Sequence, residues 1–392
     1  MSQILKPPRQ VFWTRGRIKA TLFQAGFIVC LVLLVWFIFS NTLANISNQG
    51  IASGFGFLEK RAGFDVALSF IPFTSDSTYA RAFWVAVVNT LVLSGLGIVL
   101  ATILGFSLGL ARVSKNWLIA RLATVYIETF RNIPLLLQMF FWYFAILRPL
   151  PSPRDSVEFG AGFFLNNRGL SMPRPLFETG SSWVFAVLFV GFVFAFYMAR
   201  RALRIRKETG HGVKVIHWWL LGLVIAPAAT WFLVDASMGL SVPVLTGFNF
   251  RGGMVVLPEM LAALLALSFY ISAAVGEIVR AGIQGVDHGQ TEAAEALGHS
   301  RKDLMRLIVI PQAMLIIIPP LTTQYLSLAK NTSLAAAIAF PEVISIVAGS
   351  TLTQTGQAVE TIALAMVFYI AVSLAIAGVM NYLNYRVMRQ RV

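Results

Sequence analysis

Three stretches of this sequence place ionisable groups inside otherwise apolar runs. "ETFRNIPLLLQMFFWYF" (Glu128 to Phe144) carries Glu128 and Arg131, and "LSFYISAAVGEIVRAGIQGV" (Leu267 to Val286) carries Glu277 and Arg280. "LAKNTSLAAAI" (Leu328 to Ile338) carries Lys330, Asn331, Thr332 and Ser333. Each acid stands three residues before its base, so on a helix the two can meet on one face. Charges in such surroundings face a protein interior or a pathway. Two roles stay open for both pairs, a structural ion pair and contact with a ligand or gate. Lys330, with amide and hydroxyl donors beside it, could receive a carboxylate where the dielectric is low; otherwise it reaches for an aqueous interface. A helix break there would also offer backbone groups to a ligand.

A fourth stretch, "EAAEALGHSRKDLMRLIVIP" (Glu292 to Pro311), interrupts the apolar pattern altogether. Its composition predicts two short helices meeting at Gly298, the first capped by Thr291 and the second by Ser300. Pro311 then marks a bend into the next apolar run. Familiar catalytic constellations are missing. There is no phosphate-binding Gly-x-x-x-x-Gly-Lys-[Ser/Thr], no His-Glu-x-x-His and no Gly-x-Ser-x-Gly. The four histidines (His211, His217, His288, His299) are dispersed, and the single Cys30 permits no intrachain disulfide. No metal site is expected, and an enzyme is not the reading.

The elements that must position these groups are set by composition. Of 392 residues 57% are hydrophobic and only 12% charged, about half the charged fraction of an ordinary soluble domain. The bilayer is the natural solvent for such a chain. Apolar runs near 21–40, 83–111, 117–147, 182–200, 216–234, 257–280, 308–336 and 357–385 predict eight spanning helices. The first run is longer than a signal-peptide core and lacks a small-x-small site after it, so a retained span is expected.

The net charge of +14 does not indicate nucleic acid, because the basic residues sit at the ends of apolar runs. With eight crossings and an inside N-terminus, the faces 1–20, 112–121, 200–215, 280–306 and 386–392 hold 21 Lys/Arg, against 8 on 41–82, 148–181 and 235–256. That bias places both termini in the cytoplasm. A ninth crossing at 334–350 would break it, so that stretch is expected to dip in or lie along the outer surface. The Pro- and Gly-rich 148–181 reads as an external loop. "GFSLG" (Gly105 to Gly109) offers close helix packing, within this chain or between two chains.

The run Glu292-Ala293-Ala294, three residues, Gly298, nine residues, then Ile308-x-Ile310-Pro311 resembles the coupling motif of ABC importer permease subunits, with Ile310 where Leu is usual. The Phe130–Leu136 stretch, the run of Tyr270, Ala273, Glu277, Arg280 and Gly282, and the Lys330–Leu334 stretch resemble polar amino-acid permeases. The enlarged layout is similar to the longer permease of general L-amino-acid importers in Gram-negative bacteria.

That resemblance implies an all-α polytopic membrane protein with a five-helix permease core at 83–147 and 257–392. The 1–82 segment and the external loops and two extra spans of 148–256 are additions to it. The coupling loop is 281–306, with Glu292, Ala293, Ala294, Gly298, Ile308 and Pro311 engaging a separate ATPase. The implied partners are a cytoplasmic ABC ATPase dimer holding ATP and Mg, a second permease, a paralogue rather than an identical copy, and a periplasmic amino-acid-binding protein. No cofactor is implied in this chain itself, and the expected location is the bacterial inner membrane. Lys330, Asn331, Thr332, Ser333, Glu277 and Arg131 are the candidate L-amino-acid pathway. An ion-coupled secondary amino-acid transporter using Glu128 or Glu277 is the alternative, and a receptor or scaffold would need no pathway at all.

Overall fold

The computed structural model describes residues 15–48, 53–177, 181–209, 216–234 and 238–389. Several residues of the charge pattern (Lys6, Arg9, Lys214 and Arg391) and His211 lie outside the described residues. The helices are α1 (Arg15–Asn48), α2 (Tyr79–Arg112), α3 (Trp117–Asn132), α4 (Leu135–Phe140), α5 (Ser181–Thr209), α6 (Ile216–Leu220) and α7 (Ala226–Leu233). After these come α8 (Pro258–Gln284), α9 (His288–Ala296), α10 (Arg301–Asp303), α11 (Ile310–Asn331), α12 (Leu352–Thr355) and α13 (Ala358–Arg389).

Among the described residues six helical segments are long and apolar enough to cross a membrane. The expected span at 117–147 is broken: α3 and the helix from Leu135 to Leu147 meet at 104°. Pro134 is the cause, because it removes a donor and holds Ile133 extended, at φ −94° and ψ 126°. The Gln138 amide donates to the carbonyls of Phe130 and Ile133, both at 2.9 Å, so the elbow leaves neither of them unpaired. The expected span at 216–234 forms a shorter apolar helix, His217–Leu233.

α8 is the most enclosed of the described spanning helices, and small residues let α2 reach it. A Cβ at Gly105 would stand 2.5 Å from Val275 Cβ, and one at Gly109 would stand 2.6 Å from Val279 Cβ and 2.8 Å from the Gly276 carbonyl. The glycine pair therefore packs two helices of this chain together. α11 closes the other side, with Leu328 against Gly97 and Ile317 against Gly282. One apolar core, including Ile271, Val275, Leu321 and Leu328, fills the space between these helices.

The 148–256 region is more than loops and two spans. Strands β1 (Val157–Glu158), β2 (Phe164–Asn166), β3 (Gly169–Met172) and β8 (Met254–Val256) form an antiparallel sheet. β4 (Arg174–Phe177) pairs with β5 (Met238–Ser241), and β6 (Val244–Thr246) with β7 (Asn249–Arg251). The β3–β8 register, Leu170 opposite Val256, joins stretches separated in sequence by α5–α7. Those helices make their own hairpin, in which Gly191 and Gly222 bring two backbones so close that a Cβ on Gly222 would meet the Gly191 carbonyl oxygen at 2.5 Å. The segment before α2 folds down at the same end: Asn89 donates to the carbonyls of Leu68 and Pro341, both at 2.8 Å.

The 334–350 stretch does not cross. α11 tightens into a 3-10 turn (Thr332–Ile338), Ala339 takes a left-handed φ of 61°, and a π-helical stretch follows from Ile344 to Thr351. Phe340, Val343 and Glu342 are fully buried. Irregular backbone is thus enclosed by protein, as membrane depth requires.

Candidate functional site

Two features built from the singled-out residues are joined by one long helical segment, Arg301–Ile338. The first is a knob at the end where α8 runs out. α9 begins at Asp287, whose carboxylate accepts from the Gly289 amide at 2.7 Å. The helix therefore starts earlier than the expected Thr291, which lies within it. Gly298 ends the turn with φ +77°, a conformation that disfavours other residues. Ser300 opens the next helix, its hydroxyl accepting from the Asp303 amide at 3.2 Å. Ala294 is buried against Leu304 and Val309, with Ile308 packed on the same cluster, so these residues set the knob's shape. Ala293 and Glu292 face outward, Glu292 lying 3.0 Å from His288. Leu297 is exposed at the tip. Pro311 does not bend the chain into a separate element. A π-helical stretch (Leu304–Val309) precedes it, and the helix runs unbroken from Arg301 to Ile338.

At the far end of that helix stands the second feature. Lys330 is exposed and has no ion pair or side-chain hydrogen bond among the described residues. Thr323, Ser327 and Lys330, spaced i, i+4 and i+7, make one stripe along α11, flanked by the half-buried Gln324 and Asn331. The opposite face of α11 is buried through Leu321, Tyr325, Leu328 and Ala329. The helix does not break after Lys330 but tightens into a 3-10 turn, which turns one candidate inward. Thr332 is fully buried, and its hydroxyl donates to the Ala329 carbonyl at 2.7 Å. Ser333 donates to the Lys330 carbonyl at 2.8 Å.

The structure rearranges the charge pairs. Glu277 and Arg280 do pair, with Arg280 Nε 3.1 Å from both carboxylate oxygens. Glu128 does not pair with Arg131. Arg112, arriving at the end of α2, bonds Glu277 and lies 3.7 Å from Glu128. Arg131 is exposed without an ion pair or hydrogen bond among the described residues. The result is a clasp across the ends of α2, α3 and α8, at the end of the bundle where the knob begins. Glu277 is a clasp residue, distant in sequence and element from the Lys330 stripe.

Sequence reasoning missed two residues. Arg112 looked like one more orientation charge at a helix end, and nothing local marks it as a bridge. Glu342 could have been noticed, because it is the acid of the apolar run "LAAAIAFPEVISIVAG". Its carboxylate accepts from the amides of Ile344 at 2.8 Å and Ser345 at 2.7 Å, and from the Tyr369 hydroxyl at 2.9 Å. It thus caps the π-helical stretch and ties it to α13. Among the described residues no group of His, Cys, Asp and Glu could hold a metal ion.

The family described as the binding-protein-dependent transport system inner membrane component matches residues 97–390. The chain is 47% identical over 377 residues to the putative amino-acid ABC transporter permease protein YhdX of Escherichia coli (strain K12), covering 94% of each chain. It is 46% identical over 367 residues to the general L-amino acid transport system permease protein AapQ of Rhizobium johnstonii, covering 93% of this chain and 91% of that one. A solved amino acid ABC transporter with histidines aligns with 79% of this chain and 95% of that chain at a TM-score of 0.47 and 19% identity. The family match over residues 97–390, together with relatives aligned almost end to end in sequence, settles the classification: this chain belongs to the family of binding-protein-dependent transport system inner membrane components.

Proposed function

We propose that the chain is the pore-forming permease subunit of an ATP-driven importer of L-amino acids. The observation that carries this reading is that the knob's second helix and the polar stripe stand on one continuous helical segment. Arg301–Ile338 is 38 residues long, about 57 Å at the α-helical rise. A push on α9 passes through the packing of Ala294 on Leu304 and Val309 into that segment, which then runs to Lys330 without a loop. The uncovered stripe also requires a second surface, since polar groups turned to lipid are costly. A second permease, a paralogue, completes the pathway between the two chains.

In this reading both termini are cytoplasmic and the membrane is the bacterial inner membrane. A cytoplasmic ATPase dimer, holding ATP and Mg, grips the exposed Ala293 and Glu292 face and the tip at Leu297. A periplasmic protein delivers an amino acid at the strand-bearing end. Lys330 receives its carboxylate, with Asn331 beside it. Nothing chemical happens to the substrate. Closure of the ATPases moves the knob, α11 tilts, and access to the stripe alternates.

The test is amino-acid-stimulated ATP hydrolysis and uptake in liposomes that contain the chain with its ATPase, second permease and binding protein. Gly298→Asp should release or uncouple the ATPase. Lys330→Ala should hydrolyse ATP but carry little amino acid. A wild type that binds no ATPase would overturn the importer reading and favour an ion-coupled transporter; normal uptake by Lys330→Ala would remove only the substrate assignment.

A further inference from the structure

A cleft of about 650 Å3 opens at the strand-bearing end, between α2, α8 and the strand layer. Its walls are apolar: Leu96 from α2, Leu261 and Leu264 from α8, Met172 from β3, and Phe70 from the segment before α2. No residue of the α11 stripe lines it, so it is separate from the proposed pathway. Arg174 of β4 is the one charged residue of the lining. It is exposed and has no ion pair or side-chain hydrogen bond among the described residues.

Depth and charge together define what fits. Leu264 stands six residues into α8, about 9 Å beyond Pro258 along the helix, within the apolar run that crosses the bilayer. Arg174 lies on the strand layer, which caps that end. The cleft therefore offers a cation at its rim and hydrocarbon below. An amino acid is a poor occupant, because the lining holds no acid to accept its ammonium. The shape is held in place. Asn89 fastens the Leu68 carbonyl to α2, and the β3–β8 pairing fastens the opposite wall.

We propose that this cleft binds an anionic phospholipid, with acyl chain between Leu96 and Leu264 and phosphate on Arg174. A guanidinium at the rim makes charge-assisted hydrogen bonds to a phosphate, and the apolar walls below take the acyl chain. The site goes beyond transport and does not depend on which solute the chain carries.

The experiment is native mass spectrometry of the full chain, purified in mild detergent and titrated with phosphatidylglycerol, phosphatidylethanolamine or inorganic phosphate. Wild type should retain one phosphatidylglycerol in preference to phosphatidylethanolamine, and phosphate alone should not displace it. Arg174→Ala should reduce that preference about five-fold, the contribution of one basic residue facing an anionic head group. Leu264→Trp, which fills the cleft, should lose both lipids. Equal retention of the two lipids by wild type, or an Arg174→Ala preference equal to wild type, overturns the proposal. So does displacement by excess free amino acid, which would return the cleft to the substrate. Arg174 is an exposed strand residue, so that arm decides even where Leu264→Trp fails to fold. Loss of ATPase binding would sink the importer reading and leave this result untouched.

Discussion

Replacing Glu342 probes the fastening on which the polar stripe depends. Its two carboxylate oxygens take three donors: Ser345 N on Oε1, and Ile344 N with the Tyr369 hydroxyl on Oε2. The side chain is fully buried, so water cannot replace a lost acceptor. A net hydrogen bond to a charged group contributes about 1.5–3 kcal/mol. Glu342→Gln keeps the shape but turns one oxygen into a donor, which must then face a backbone amide. One charge-assisted bond is lost and one N–H is orphaned, for a cost of about 1.5–3 kcal/mol. Tyr369→Phe removes a single donor and leaves the cap in place, so about 1.5 kcal/mol is the expected loss. Glu342→Ala loses all three bonds and opens a void, at about 4 kcal/mol or more. Chemical unfolding in detergent, followed by tryptophan fluorescence, should rank them Ala, then Gln, then Phe, in falling severity. Since the cap sits just past the 3-10 turn that follows Lys330, amino-acid uptake should fall in the same order while ATPase binding persists. A neutral Glu342→Gln beside a damaging Tyr369→Phe would refute the reasoning, because the phenol and not the carboxylate would then be organising the turn.

Gly105→Ala should destabilise the chain by about 1–3 kcal/mol through overpacking, and Val275→Gly should recover part of that loss in a double-mutant cycle read by thermal unfolding. Arg112→Met should loosen the clasp across α2, α3 and α8, seen as faster hydrogen exchange at the ends of those helices; an Arg131→Met control should not change it. Leu297→Glu places a charge at the exposed tip, so it should weaken ATPase capture in a pull-down without lowering the unfolding midpoint. Gly191→Val should separate the α5–α7 hairpin, with increased proteolysis within α5 and α7, and leave ATPase capture at the wild-type level.

How much of the site was legible depended on whether a residue's role is local. Gly298 and Ser300 act within a turn, through backbone conformation and a cap, so spacing alone found them. Thr291 failed as a cap because Asp287, four residues earlier, competes for the same helix start and has the better geometry. The Glu128–Arg131 pair failed for another reason. Spacing of three residues shows that two side chains can meet, but not that a third from another helix will reach first, and Arg112 does. The strands between 157 and 256 were invisible because each is two to four residues long, too short for a period to show, and the β3–β8 and β4–β5 pairings join distant stretches.

Apolar runs, their lengths and the charges at their ends are properties of consecutive residues, and from them the sequence by itself determined a helical membrane protein and the polar two-helix segment that interrupts it. The elbow at Pro134 is likewise local in origin, since the ring holds Ile133 out of the helical region. Which helices touch is another matter. The glycine pair at 105 and 109 could have served either a partner or this chain, and only the close approach of Val275 and Val279 decided it. The same holds for the clasp at Arg112, the buried cap at Glu342 and the cleft under Arg174. Each joins residues far apart in the chain, and the interactions that select among such pairings act between surfaces that exist only once the helices are assembled.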